Sequence, residues 1–178
     1  MTKKAFYDWQ TNGGGGDVSH VIAILERIGA PWCVIGGLAV NYWAKEPIVT
    51  ADVDMVIAHE AVAEAVSALE AEGFVSERFP WSVNLKGKSH VSIQISVEDG
   101  YREYPARSIP ADVWGILMRV ASLEDTLTGK IAAYSDITRR PSKRQKDFLD
   151  ILRLVESHPR LMSSLPDEIR AEVVAKIN

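Results

Sequence analysis

Residues 36–57, GGLAVNYWAKEPIVTADVDMVI, put two carboxylates two residues apart in a run that is otherwise valine, methionine and isoleucine. Successive strand residues face opposite ways, so Asp52 and Asp54 project from one face while Val53 and Met55 enter the other layer. Aspartate is a poor strand former and is costly to bury unpaired. Adjacent carboxylates also repel unless a cation neutralises them. Mg²⁺ suits that place, because it takes hard oxygen ligands, commonly one or two carboxylates with waters and substrate phosphates. Just upstream, Gly36 and Gly37 turn the apolar run PWCVI into LAVNYWAK, where Leu38, Ala39, Tyr42 and Trp43 have helical spacing and Pro47 ends the helix. A glycine pair at a strand-to-helix junction lets backbone N–H groups approach an anion at a helix N-terminus. Alone, Gly-Gly is commonly just a tight turn, and Asp-x-Asp an exposed face, a cap or a lysine-paired couple, but the order strand, Gly-Gly, helix, Asp-x-Asp strand favours a phosphate cradle beside a metal-binding strand in an α/β layer.

The rest of the chain completes such a layer. Residues 1–16 end in TNGGGG and read as a flexible N-terminal segment. An α/β core is expected over 17–121. In it Asp17 or Ser19 caps the helix VIAILERIG, Thr50 to Ala58 is a strand, and EAVAEAVSALEAE is an amphipathic helix stopped by Gly73. FVSERF, SVNLKG and HVSIQISV read as strands, and the last alternates strictly, with Ser92, Gln94 and Ser96 on its polar face. A loop holding Pro105 and Pro110 leads to the strand WGILMRVA. Residues 122–178 are expected to be helical and packed on the core. A capping box, Ser122 to Asp125, opens a helix to about Ile137, Pro141 breaks it, and SKRQKDFLDILRLVESH is amphipathic. The fold class is α/β (α+β), a mixed sheet flanked by helices and followed by C-terminal helices.

Net charge of −4 argues against a global basic field for nucleic acid, although basic residues are dense from Lys130 to Arg153. The single cysteine, Cys33, lies in an apolar run and reads as buried and inert. The N-terminus lacks the apolar core of a signal peptide, and no run of about 18 apolar residues exists to span a membrane. A cytoplasmic location is expected.

VIGGLAVNYWA and TADVDMVI together resemble the signature of the DNA polymerase β-like nucleotidyltransferase superfamily, in its minimal-nucleotidyltransferase and AbiEii-toxin-like branch. The resemblance spans about residues 20 to 156 and includes SLEDTLTGKIAAYSD and RRPSKRQKDFLDILRLV. It implies that Gly36 and Gly37 hold phosphate and that Asp52 and Asp54 bind metal. It also implies that Lys130 and Lys146, on the two later helices, contact the nucleotide. The expected activity is Mg²⁺-dependent transfer of an NMP group from an NTP to a hydroxyl of a tRNA, a protein or a small molecule. A toxin role with an antitoxin partner is implied as well. The family places a third carboxylate on a later strand, whereas the polar face of HVSIQISV offers Gln94 there. A glutamine amide can accept a hydrogen bond or ligate weakly, but it cannot act as a carboxylate base. The alternative is a catalytically impaired nucleotide- or metal-binding module of the same fold.

Other residues divide between chemistry and plain structure. Arg139, Arg140, Lys143, Arg144 and Lys146 could steer an NTP or RNA phosphates, or simply form a solvated helix face. Asp147 and Asp150 are expected to pair with Lys143, Lys146 and Arg144 at helical spacing. The histidines have no metal-binding spacing, and His90 alone, at the head of the Gln94 strand, stands near the expected site. Trp81, Trp114, Tyr101 and Tyr104 could stack on a base, or pack as core or loop aromatics.

Overall fold

The computed structural model describes residues 2, 5, 8, 13–45, 48, 50 and 52–177. Helix α1 (Gly14–Ile28) leads to β1 (Trp32–Val34), α2 (Gly36–Trp43), β2 (Val53–Ile57) and α3 (Val62–Ala71). Then follow β3 (Val75–Arg78), β4 (Ser82–Lys86), β5 (Ser92–Ser96), the short α4 (Tyr104–Arg107), β6 (Ile109–Val113) and β7 (Ile116–Val120). Helices α5 (Leu123–Ser135), α6 (Pro141–Ser157) and α7 (Asp167–Ile177) end the chain. The strands form one seven-stranded mixed sheet in the order β3-β4-β5-β2-β1-β7-β6. β2 runs parallel to β5 and antiparallel to β1, and β1 runs parallel to β7.

Alternation decides what each sheet face carries. Val53, Met55, Ile93, Ile95, Val83 and Leu85 enter the main core, which α1 covers with Val21, Ile24 and Leu25 and α3 with Val66 and Leu69. The opposite face holds a small apolar cluster, Cys33, Val56, Tyr104 and Ala121, beside the row of Asp54 and Gln94. Helix α2 joins the halves of the molecule. Its Leu38 and Ala39 enter the sheet core, while Val40 packs with Leu127, Ile151, Leu154 and Val173 of the C-terminal helices.

Several sequence expectations change. The glycine run is not wholly a tether, because Gly14 to Gly16 form the first turn of α1 with Gly13 as its N-cap. The first helical N–H groups need partners outside the helix, and Asp8 Oδ1 accepts from Gly15 N at 2.8 Å. A side chain at Gly15 would collide with that carboxylate. Asp17 therefore does not cap the helix. Its carboxylate accepts from Ser89 N at 2.7 Å and Ser89 Oγ at 2.5 Å, tying α1 to the β4–β5 turn. Thr11, Asn12 and Pro47 lie outside the described residues.

The second strand begins at Val53 rather than Thr50, so Asp52 stands just before it and is exposed. The expected loop around Pro105 and Pro110 contains α4 and β6. β6 is the edge strand, where a proline without an N–H is tolerated. It closes on β7 through Trp114 and Gly115, with φ of 57° and 78°. Both central residues at positive φ make the two-residue turn that matches strand twist. Ser122 Oγ caps α5 by accepting from Asp125 N at 3.1 Å. Pro141 does not merely break the chain but sits in the first turn of α6, where its missing N–H is harmless.

Candidate active site

The sheet's open face and helices α5 and α6 enclose a cleft of about 620 Å³. Gly36, Gly37, Asp52, Asp54, Gln94, Lys130 and Lys146, the residues singled out by sequence, all line it.

Gly36 and Asp54 form its tightest point. Gly36 has φ of 60°, a conformation that favours glycine, and a Cβ there would collide with Asp54 Oδ2. The same turn is pinned by Ile35 N donating to Asp54 O at 2.9 Å. Behind it, Thr50 Oγ1 lies 3.3 Å from where a Gly37 Cβ would be. The glycine pair is thus what lets the α2 N-terminus sit directly against the Asp-x-Asp segment.

Neither the Asp52 nor the Asp54 carboxylate makes a hydrogen bond or ion pair among the described residues. Burial pushes the Asp54 carboxyl above its ordinary range, and the Asp52 charge adds to this. Lys130, Lys146 and Lys143 pull it the other way. Carboxylate oxygens left without partners on a cleft wall are what a hard divalent cation would satisfy. Among the described residues, no group of three or more His, Cys, Asp or Glu is arranged to hold a metal. The donors available are two carboxylates with neutral oxygens beside them, a set that fits Mg²⁺ completed by phosphate and water.

The strand register puts Gln94 directly beside Asp54, with Asn84 on its other side. Glu98 also lines the cleft but lies past the strand end and is exposed. His90 is exposed and does not line the cleft.

Lys130 is less available than its sequence suggested. Its Nζ lies 3.0 Å from Asp147 Oδ1 and 2.7 Å from Asp150 Oδ2, with all three side chains nearly buried. Burial pulls this ammonium down, but the Asp150 and Asp147 charges outweigh it and hold its pKa above the usual lysine range. An ammonium has three donors, so two carboxylates leave one for the cleft. The expected helical pairs of Asp147 and Asp150 with Lys143, Lys146 and Arg144 give way to this cross-helix pairing. Asp147 also meets Arg139 at 3.2 Å and Asp150 meets Arg153 at 2.8 Å. Arg153 continues to Asn41 Oδ1 at 2.8 Å, and Asn41 accepts from Ile48 N at 2.9 Å. One polar relay thus runs from the segment before Asp52, through α2 and α6, to Lys130. Arg144 turns instead to the Tyr134 carbonyl at 2.7 Å.

The aromatics separate. Trp114 packs against the main core and Tyr104 is buried. Trp81 and Tyr101 line the cleft, and the buried Tyr104 contributes to its wall as well. Burial and then Glu98 raise the Tyr101 hydroxyl, which keeps its proton at neutral pH. Burial also pushes the Cys33 thiol up to about 12, so it is no nucleophile. Of the basic run expected to steer an NTP or form a solvated face, Arg139, Lys143 and Lys146 line the cleft, whereas Asp147 had no local sequence signal as a cleft residue, because only the packing of α6 on α5 brings it there. Among the described residues, no helix is long and apolar enough to cross a membrane.

Known proteins carry the same architecture. A lincomycin-bound lincosamide antibiotic adenylyltransferase, LnuA, superposes with a TM-score of 0.53 at 13% identity, over 78% of this chain and 96% of that one. ANT(2")-Ia in complex with adenylyl-2"-tobramycin gives 0.54 at 17% identity, over 89% and 95%. An antigenic nucleotidyltransferase-like protein from Paracoccidioides brasiliensis gives 0.55 at 18% identity, over 91% and 85%. At such identities the likeness is one of fold. No curated protein sequence matches the chain. The family described as "Nucleotidyl transferase AbiEii toxin, Type IV TA system" matches residues 29–176, which take in the whole cleft from Ile35 to Asp147. The chain belongs to the AbiEii nucleotidyltransferase toxin family.

Proposed function

We propose that this protein is a Mg²⁺-dependent nucleotidyltransferase that moves an NMP group from an NTP to an acceptor hydroxyl. The observation that carries this is the direct packing of Gly36, at the α2 N-terminus, on the partnerless Asp54 carboxylate. The N–H groups at that helix start favour an anion, and Asp52 and Asp54 favour a cation. A nucleoside triphosphate with its divalent ion carries both charges. Asp52 and Asp54 would hold the metal, and when bound it would neutralise the triphosphate and the departing pyrophosphate. Gly36 and Gly37 cradle the phosphates. Lys130 offers its remaining donor, and Lys146 adds positive charge from α6. The acceptor oxygen attacks the α-phosphorus, the bond to the bridging oxygen breaks, and pyrophosphate leaves with the bond electrons. Gln94 would orient the acceptor or offer its amide oxygen to the metal. It cannot take the acceptor's proton, which passes to solvent.

The acceptor hydroxyl is that of a tRNA end, a protein or a small molecule. The family makes an antitoxin protein the natural partner, acting with the toxin in the cytoplasm. A second reading, a nucleotide- or metal-binding module that transfers nothing, is favoured by one observation, the neutral Gln94 in register with Asp54. Incubation with each α-labelled NTP, Mg²⁺, total tRNA and cell lysate separates the two. Label transfer that disappears in Asp52→Ala supports the enzyme. NTP binding with Mg²⁺ but no transfer supports the module. Absence of both refutes the site.

A further inference from the structure

The cleft has two chemically different walls. The helical wall is densely charged, with Lys130, Arg139, Lys143 and Lys146 beside Asp125, Asp136 and Asp147, whereas the β4–β5 wall presents Trp81, Ser92, Gln94 and Ser96, with one charge, Glu98, at its end. We propose that the β4–β5 wall is the acceptor subsite and that it takes an uncharged, ring-bearing acceptor whose flat face stacks on Trp81. This rests on the nucleotidyl transfer proposed above.

Position comes first. With the triphosphate at Gly36 and Gly37, on the β1 side, β2 carries the carboxylates and β5 and β4 lie beyond. Transfer needs the attacking and leaving oxygens roughly in line across phosphorus. The attacking hydroxyl therefore comes from the β5–β4 side.

Trp81 is built for contact there. It lies in the β3–β4 turn, and its carbonyl accepts from Val97 N at 3.0 Å, which extends the β4–β5 ladder by one bond. The preceding Phe79 N donates to Ser82 O at 2.7 Å. The backbone is thus held on both sides, yet the indole is left 58% exposed on the cleft. A large ring kept in water forgoes burial energy that a stacked ligand would recover.

Ser92, Gln94 and Ser96 supply the polar edges that face the cleft, and the strand behind them holds one more unused acceptor, which does not itself line the cleft. Asn84 Oδ1 is buried without a partner among the described residues, and Asn84 stands in register with Gln94. Amides and hydroxyls read neutral ligand edges and discriminate by leaving a mismatched group unpaired. Charge narrows the class further. A polycation would call for several carboxylates and a polyanion for cations, and this wall carries Glu98 alone.

The test loads the full chain with Mg²⁺ and the non-transferable analogue AMPCPP, then titrates adenosine calorimetrically, with tobramycin as the polycationic competitor. Adenosine binds the loaded protein, Trp81→Ala weakens it by about fivefold or more, and Trp81→Phe retains most of the affinity. AMPCPP binds all three proteins equally, and tobramycin does not displace adenosine. No adenosine binding, unchanged binding in Trp81→Ala, or displacement by tobramycin overturns the subsite. Failure of AMPCPP and of its guanosine, cytidine and uridine counterparts, each with Mg²⁺, to bind the unmodified protein is a separate result, which removes the proposed transfer and the subsite with it.

Discussion

On β2 and β5, Val53, Met55, Ile93 and Ile95 go under α1 and α3, whereas Asp54, Ser92, Gln94 and Ser96 stay half-buried toward the cleft. The same strands carry both sets, so the sealed face fixes the spacing of the open one. The open face is then free to keep groups that lower stability, such as the Asp54 carboxylate. The helical wall opposite solves its charge problem differently, by pairing Asp147 and Asp150 internally with Lys130, Arg139 and Arg153. The carboxylates of one wall have internal partners, whereas Asp54 on the other has none among the described residues.

The largest effect is expected where that internal pairing is broken. Lys130→Ala removes the ammonium shared by two nearly buried carboxylates, leaving Asp147 with Arg139 and Asp150 with Arg153, and should cost up to about 3–5 kcal/mol, read by urea unfolding. A loss below about 1 kcal/mol would mean that water reaches them freely. Next, Ile95→Ala on the sealed face should cost about 2–5 kcal/mol in the same assay. Gly36→Ala forces a side chain into both a left-handed backbone and the Asp54 carboxylate. About 1–3 kcal/mol is expected, together with loss of NTP binding by calorimetry.

Asp54→Asn should act in the opposite sense. Burial lifts the Asp54 carboxyl above its unfolded value of about 3.9. The folded chain therefore holds that proton more tightly than the unfolded one. The stability this gives is full below the unfolded value and is lost as pH rises through the lifted one. Asp54→Asn should accordingly melt higher than the unmodified protein at pH 7, and the gain should vanish as pH falls below about 4, the unfolded range. Label transfer should be abolished throughout. The smallest effect belongs to Ser96→Ala on the open face, within about 0.5 kcal/mol. If it matched Ile95→Ala, the two faces would not differ in the way described.

The signals that could be read in the sequence are local ones. The Gly-Gly turn, the alternation of HVSIQISV and the Ser122 cap each depend on neighbours a few residues away, and the sheet and cleft follow from them. The place of Gln94 was legible because period-two alternation names the polar face, although only the register shows which position meets Asp54. Strand β6 was hidden by Pro110 and Asp112, whose composition argues for a loop and whose edge position tolerates it. The Gly14 to Gly16 turn was hidden because its support comes from Asp8 rather than from propensity. The partners of Lys130 were hidden because they sit on a different helix, and helical spacing offered nearer and wrong ones. Asp52 read as a strand residue from its neighbours, yet it stands exposed just ahead of the strand.

The buried Cys33 has a practical consequence. It is the one cysteine of the chain, fully covered, with its thiol pushed up to about 12. Thiol reagents attack the thiolate, so the folded protein is a silent background for labelling. A cysteine introduced at an exposed position on the cleft rim would be the sole reactive site. A single fluorophore placed there could follow the filling and emptying of the cleft in real time, without any other residue being changed.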